Sequence, residues 1–543
     1  MIHKPAVTRL ASAVMTISLV GVLPVLFAQS ALAASLCVGS QPGCFATLQA
    51  AVGAARNGDT ITIAPGTYAG GVTIDVSVKI TGAGAGSTVL RGGGSVLTIG
   101  VFGASMEPTV SISGVTITGG VARSSPVSAP FTGEDGVIAR GGGVEIPPNA
   151  AGTGGATVTI SNSVITGNLA DPTHALPTGP PCPGGVRCPA ATAAGGGIDN
   201  WGTLTLANTT VSDNRIGSAT GLGEVASDAD GAGIASELAG LTVINSTISG
   251  NQASVTAPNG RFADSGGMFV EGGTLTMSYS TVTGNRASLA ASLPNGISGG
   301  LSAIGGGVHV ASGVTAATIS NTVISGNSVS MTNTVGDTSA DSGGLHTDGT
   351  FTLNNDVIAG NSVFSATLPG SSGNAGGDSG AGEMAGTITN TRLTGNSVTV
   401  ISASGTATAA AGATIVTGTL TNSIVSSNTV SAASPHGTVL LGGGGLLSGG
   451  PLTLRNTSVS GNRGDATGQT GGAEGGGIFD VDESASGGPP GGPLILTNAT
   501  ITHNVLTGTT GLTLQGGGVF ATNPVTLTNT VIANNIPDQC DGC

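Results

Sequence analysis

The sequence predicts an all-β solenoid, a parallel β-helix, and three observations predict it. The first is a heptad, at its plainest in Asn321-Thr322-Val323-Ile324-Ser325-Gly326-Asn327, that recurs from Asn162, Asn208, Asn245, Tyr279, Asn355, Asn390, Asn422, Asn456, Asn498 and Asn529. Its closing Asn is present in all eleven copies: Asn168, Asn214, Asn251, Asn285, Asn327, Asn361, Asn396, Asn428, Asn462, Asn504 and Asn535. The second is a pair of apolar positions in every copy, the fourth of the heptad and the one two residues before the opening Asn. The third is a glycine run ahead of another apolar residue, as in Gly305-Gly306-Gly307-Val308 and Gly475-Gly476-Gly477-Ile478. Copies begin 31 to 46 residues apart, and a fixed motif at such a period is the mark of a solenoid.

Each copy reads strand, corner, strand, corner. Leu452-Thr453-Leu454 alternates apolar and polar residues, the period of a half-buried strand. Asn then tolerates the left-handed backbone of a sharp corner. The glycine run supplies a tight turn into a third strand. Before Asn390 and Asn422 the run shortens by two residues, which keeps the same side chains facing inward; one residue less would flip them. Asn residues at equivalent positions of successive coils are expected to stack about 4.8 Å apart and bridge amide to amide, a structural role.

Composition narrows the class. The chain has 543 residues and 97 glycines without a Gly-X-Y period, which excludes collagen. Only 8% of residues are charged, which argues against charge-driven disorder. The net charge is −14 and Lys4 and Lys79 are the only lysines, so nucleic acid and anionic lipid are poor partners.

In chain order, residues 1–33 have the form of a secretory signal: Lys4 and Arg9, an apolar run from Leu10 to Phe27, and Ala31-Leu32-Ala33 as cleavage site. Residues 34–58 are expected to form an N-terminal capping helix, with Leu48, Val52 and Ala55 on one face of Thr47 to Asn57 and Gly58 as its stop. Residues 59–536 are the β-helix, and 537–543 a cysteine-containing tail. The six cysteines form three local pairs, expected as disulfides in an exported chain: Cys37 with Cys44, Cys182 with Cys188, and Cys540 with Cys543. Gly114 to Gly120 is a degenerate first heptad with Gly in both Asn positions.

Gly58-Asp59-Thr60-Ile61-Thr62-Ile63-Ala64-Pro65-Gly66-Thr67-Tyr68 after a helix resembles the start of secreted pectin-lyase-like right-handed parallel β-helix proteins. The pairing of Gly-Gly-Gly-Ile/Val with Ile-x-Gly-Asn is similar to the repeats of polymorphic outer-membrane proteins, with Ile, Val or Leu where those carry Phe. The resemblance covers roughly residues 44–535. It implies a right-handed coil and a secreted or cell-surface location, here without the C-terminal membrane barrel of those adhesins.

Enzymes of this fold use clustered Asp with Ca²⁺, or carboxylate pairs beside Arg or Lys. The signatures Asn-Thr-Asp, Asp-Asp, Gly-His-Gly and Arg-x-Lys are absent, and Trp201, Tyr68 and Tyr279 are the only Trp and Tyr. The expectation is therefore a non-enzymatic adhesion or matrix scaffold for a glycan or a surface protein. A carbohydrate-active lyase or hydrolase is the alternative, marked by a groove with converging carboxylates and Arg.

Two columns carry chemistry. One residue after the apolar end of each glycine run come Glu145, Asp199, Ala235, Phe269, His309, His346 and later Leu447, Phe479 and Phe520, expected to face solvent. Stacking sets His309 beside His346, which suits a metal, a pH response, or simply two solvated side chains. Four residues before the same apolar position stand Asp230, Asp264, Asp341 and Glu474, with Asp378 close to register. Asp230 and Asp264 would be neighbours and could share a Ca²⁺, or each could close an Asx-turn. The long gaps all fall between the closing Asn and the glycine run, so they are expected to project from one side as stacked loops or as a lateral fin.

Overall fold

The computed structural model describes residues 33–123, 137–172, 191–217, 227–256, 262–292, 301–482 and 491–543. The chain is a right-handed parallel β-helix, with one short α-helix among the described residues. Its strands form three sheets of 24, 20 and 14 members, in which each coil pairs with the next. The coil beginning at Val308 shows the plan: Val308–Ser320 lies in the largest sheet, Val323–Ser325 in the smallest, and Ser328–Asn333 and Thr338–Asp341 in the third. Val323, Ile324 and Ser325 pair with Val357, Ile358 and Ala359 of the next coil.

The corners answer to particular residues. Every opening Asn is left-handed, with φ between 46° and 62°, and Tyr279 adopts the same conformation at 51°. A β-branched or bulky residue pays for that geometry with a steric clash, which explains why Asn fills ten of the eleven corners. The closing Asn residues are buried and form the expected ladder. Asn327 Nδ2 donates to Asn361 Oδ1 at 3.0 Å and to the Val282 carbonyl at 3.0 Å, while its own Oδ1 accepts from Asn285 N and Nδ2. Gly120 begins the ladder by donating its backbone N–H to Asn168, and Gln539 ends it by accepting from Asn535. The last glycine of each run stands against this ladder: a Cβ on Gly307 would lie 2.9 Å from Asn327 Nδ2 and 2.5 Å from the Gly344 carbonyl.

Both apolar columns lie inside the coil. The fourth-position residues from Ile165 to Ile501 are fully buried, as are those two before the opening Asn from Ile160 to Leu496, Ile319 being 1% exposed. The last copy departs from the expectation: Leu527 is 47% exposed, and among the described residues its strand is paired on one side only, with Leu494–Thr497. The two-residue deletion holds its phase, with Leu353 still opposite Ile388 and the slip absorbed between His346 and Thr350.

The third sheet is the lateral fin. Ser328–Asn333 runs outward, Thr338–Asp341 returns, and each stacks on its counterparts in neighbouring coils. A second core lies between the two layers, made largely of Ala and Val, such as Ala287, Val329, Ala340 and Val363. Small side chains let the outward and returning strands approach closely.

The helix is Leu48–Ala54, shorter than the expected stretch. Thr47 caps it by accepting from Ala50 N, and Leu48, Ala51 and Val52 are buried against the first coil. It ends at Ala55, whose backbone turns extended, rather than at Gly58. Asp59 takes over the turn, accepting from the backbone N–H groups of Arg56 and Ala34.

Two of the three expected disulfides are formed, Cys37–Cys44 and Cys540–Cys543. Cys182 and Cys188, the third expected pair, lie outside the described residues. The proposed signal segment up to residue 32 lies outside the described residues as well. Among the described residues no helix is long and apolar enough to cross a membrane.

Ile324→Asp, which sets a charge in the fully buried column, is expected to lower stability by about 3–5 kcal/mol and to disrupt the middle coils. A circular-dichroism melt that superimposes on wild type would refute the column assignment. Asn327→Ala leaves ladder groups on both neighbours unpaired and should cost on the order of 1–3 kcal/mol per orphaned group, read as a lower midpoint in urea.

Candidate functional site

The returning fin strand runs back beside the strand that follows the glycine run, and a crease forms between them. Three side-chain columns meet there, lying four residues before, one after and three after the apolar residue that ends each glycine run. The column expected to face solvent therefore faces the fin instead. Asp199, Ala235, His309, His346 and Leu447 are buried in it, and Glu145 and Phe269 are half-buried. The strand alternates as expected, but its outer face is covered by the fin that the variable gaps build.

The register brings the expected neighbours together. Asp230 pairs with Asp264, His309 with His346, and Phe269 with His309. Asp378 lies in direct register with Asp341. Asp230 and Asp264 stand in the returning fin strands, with Asp228 on the same strand as Asp230.

At the N-terminal end of the crease Arg140 is the cation. Its Nη1 lies 3.8 Å from Asp199 Oδ2 and 4.0 Å from Glu237 Oε1, and its guanidinium rests over the Trp201 ring at 4.7 Å. Burial weakens the charged form of Arg140, but Asp199 and then Glu237 outweigh it and hold the guanidinium above its ordinary range. Burial raises Asp199 to about 7 despite Arg140. Burial also raises Asp230, reinforced by the charges of Asp264, Asp228 and Glu271. It raises Glu237 too, helped by a hydrogen bond shared with Glu271.

Farther along the crease is a histidine cluster. The His309 and His346 rings meet edge to face with centroids 4.7 Å apart, and Phe269 closes the other side of His309 at 5.1 Å. Asp348 spans both rings, with Oδ1 3.0 Å from His346 Nε2 and Oδ2 3.6 Å from His309 Nε2. His346 Nδ1 faces Asp341 Oδ2 at 3.2 Å and the Ser342 hydroxyl at 3.0 Å. Burial disfavours the His346 cation, but the Asp341 and Asp348 carboxylates outweigh it and raise the imidazole well above its usual value. Burial likewise works against the Asp341 carboxylate, yet the hydrogen bond and charge of His346 bring it down to about 2. Asp378 beside it is pushed up by burial and by the Asp341 charge.

Sequence reasoning assigns no site role to Arg140, Trp201, Glu237, Glu271, Asp348 or Glu383. A signal is nonetheless present: Arg140 stands four residues before Val144, Glu383 follows Gly382 in the His346 column, and the other four lie three residues after their apolar position. That last column is recognisable only once the strand is known to line a crease.

The fold and site thus define a β-helix with a two-layered lateral fin, beside which a cluster of carboxylates, Arg140 and two histidines forms an acidic crease. No family model and no curated protein matches the chain. Among solved structures, the PL6 family alginate lyase AlyGC aligns with 92% of this chain and 100% of its own at 10% identity and a TM-score of 0.15. A variant of that enzyme aligns with 92% of this chain and 99% of its own at 9% identity and the same TM-score of 0.15. A likeness at that level transfers no residue and no chemistry to the crease.

Asp199 gives the crease a signature in pH. Folded, it keeps its proton until about pH 7, whereas unfolded it releases it near its ordinary value of 3.8. Its contribution to stability is full below about pH 4 and is lost as pH rises through 7. Between pH 4.5 and 8 the loss should be on the order of 1–4 kcal/mol, and Asp199→Asn should flatten that part of the melting curve. An equal slope in wild type and variant would show that Asp199 ionises normally.

Proposed function

We propose that this chain is an extracellular β-helix scaffold that binds a polymeric glycan along its fin crease without cleaving it. The observation that carries the reading is the concentration of carboxylates, Arg140 and Trp201 in one lengthwise crease of a chain only 8% charged. Carboxylates accept hydrogen bonds from sugar hydroxyls, and successive coils offer them at a repeat of about 4.8 Å, suited to an extended polymer. The acidic balance favours uncharged or amino-bearing sugars over polyuronates. Two disulfides and a signal-like N-terminal segment support an oxidising, extracellular setting.

The converging carboxylates and Arg140 also favour a second reading, a carbohydrate-active hydrolase. Geometry weighs against it. Asp341 and Asp378 stand opposite each other on neighbouring strands, and burial with the Asp341 charge keeps Asp378 protonated, so this pair holds one proton between them rather than flanking a sugar ring. Asp199 is fully buried, out of reach of a polymer.

Calcium at Asp230 and Asp264 belongs to the same proposal. Asp228 and Glu271 act on Asp230, so further oxygen ligands stand nearby. A bound Ca²⁺ would relieve the repulsion between the carboxylates and admit acidic sugars to the crease.

The test is a glycan array probed with the purified protein in calcium and in chelator, paired with an assay for new reducing ends. Retention of neutral or amino-sugar polymers without reducing ends is expected, with Arg140→Ala weakening it. Acidic glycans should be held only in calcium, and the Asp230→Asn/Asp264→Asn double variant should abolish both that capture and any calcium-dependent rise in melting temperature. Reducing ends that vanish in Glu237→Gln would establish the hydrolase, and an array with no retained glycan would overturn the binding reading.

A further inference from the structure

The histidine cluster carries an inference independent of glycan binding. His309 is buried, with 6% of its surface exposed, and neither of its ring nitrogens has a partner at hydrogen-bond distance. Asp348 Oδ2 at 3.6 Å from Nε2 only partly replaces the lost solvation and Nδ1 has no partner, so the position of this buried imidazole calls for something that completes it. Its Nε2 is turned toward Asp348, which also faces His346 Nε2, and the ligand atoms of the three residues lie within 4.8 Å of one another.

We propose that His309, His346 and Asp348 form a binding site for a divalent first-row transition metal of the zinc class. Two imidazoles and one carboxylate are the donor set such ions prefer, whereas calcium and magnesium require oxygen. The surrounding residues are those a metal centre needs. Asp341 stands 3.2 Å from His346 Nδ1, placed to accept a hydrogen bond from Nδ1–H and so leave the Nε2 lone pair of the neutral ring to the ion. The Ser342 hydroxyl donates to Asp341 Oδ1 at 2.6 Å and fixes that carboxylate. Phe269 against His309 keeps one wall dry. Asp348, with its side chain 42% exposed, is the side from which an ion enters. Three protein ligands leave at least one coordination position open to water or to a ligand in the crease.

The assignment also explains the pairing of the ligands. His309 and His346 are equivalent positions of successive coils, so the stacking that builds the rod also brings the two rings together. Asp348 lies two residues after His346, on the same face of its strand.

The experiment is metal uptake by the full chain. Metal-stripped protein is equilibrated with Zn²⁺, bound metal is counted by mass spectrometry, and affinity is measured by competition with a chromophoric chelator. Co²⁺ substitution provides an independent visible spectrum that reports imidazole and carboxylate ligation. One equivalent is expected. His309→Ala and His346→Ala should each weaken binding at least 100-fold, and Asp341→Asn by about 10- to 100-fold. Asp348→Asn, at an exposed position, tests the site without threatening the fold and should also abolish tight binding. Absence of stoichiometric uptake by the wild type, or uptake retained in both the His309→Ala and Asp348→Asn variants, would overturn the proposal whatever the glycan array shows.

Discussion

The structure depends on the ladder of side-chain amides from Asn168 to Asn535. Each interior Nδ2 donates to the next Asn and to a carbonyl of the preceding coil, so one side chain ties together three coils. The ladder occupies the junction where the smallest sheet ends, the fin departs and the glycine run returns. Three strands meet there, and the backbone cannot satisfy all its own polar groups. A buried amide carries two donors and an acceptor in one small side chain, and each bond it makes is worth roughly 0.5–1.5 kcal/mol net, with a larger penalty when one partner is missing. Leu or Val would fill the space but leave the junction unsatisfied.

The rest of the architecture follows from that junction. Because the corner is held by the ladder, the segment between the closing Asn and the glycine run is free to vary in length without disturbing the coil. It becomes the fin, with a separate core made largely of Ala and Val. The glycine run must then pass beneath the Asn amides, where a Cβ has no room. The strand leaving it is covered on its outer face by the returning fin. That cover turns an ordinary strand face into a low-dielectric crease, and carboxylates placed there bind protons more tightly or pair with Arg140 and His346.

The same crease separates the readings of function. A plain rod would expose its charges singly, whereas here Asp199 and Glu237 are withdrawn and Glu271, Asp348 and Glu383 form the accessible rim. A rim of acceptors over a buried shelf suits the holding of a hydroxylated polymer or a cation.

The sequence by itself determined the coil. The Asn heptad, the apolar positions such as Ile324 and Ile319, and the glycine runs are local and periodic, and a solenoid repeats local contacts, so period and register could be read directly. It also placed Asp230 beside Asp264 and His309 beside His346, because stacking depends only on equivalent positions. The inside and outside of the strand after the glycine run were decided by tertiary structure alone. Whether His309 meets water or a wall depends on the path of segments of unequal length, which share no motif. Arg140, from the coil of Val144, reaches Glu237 two coils away, and Asp348 spans two histidines from different coils. Such contacts run across the repeat rather than along it. They depend on side-chain reach within a crease, which no periodicity in the sequence encodes.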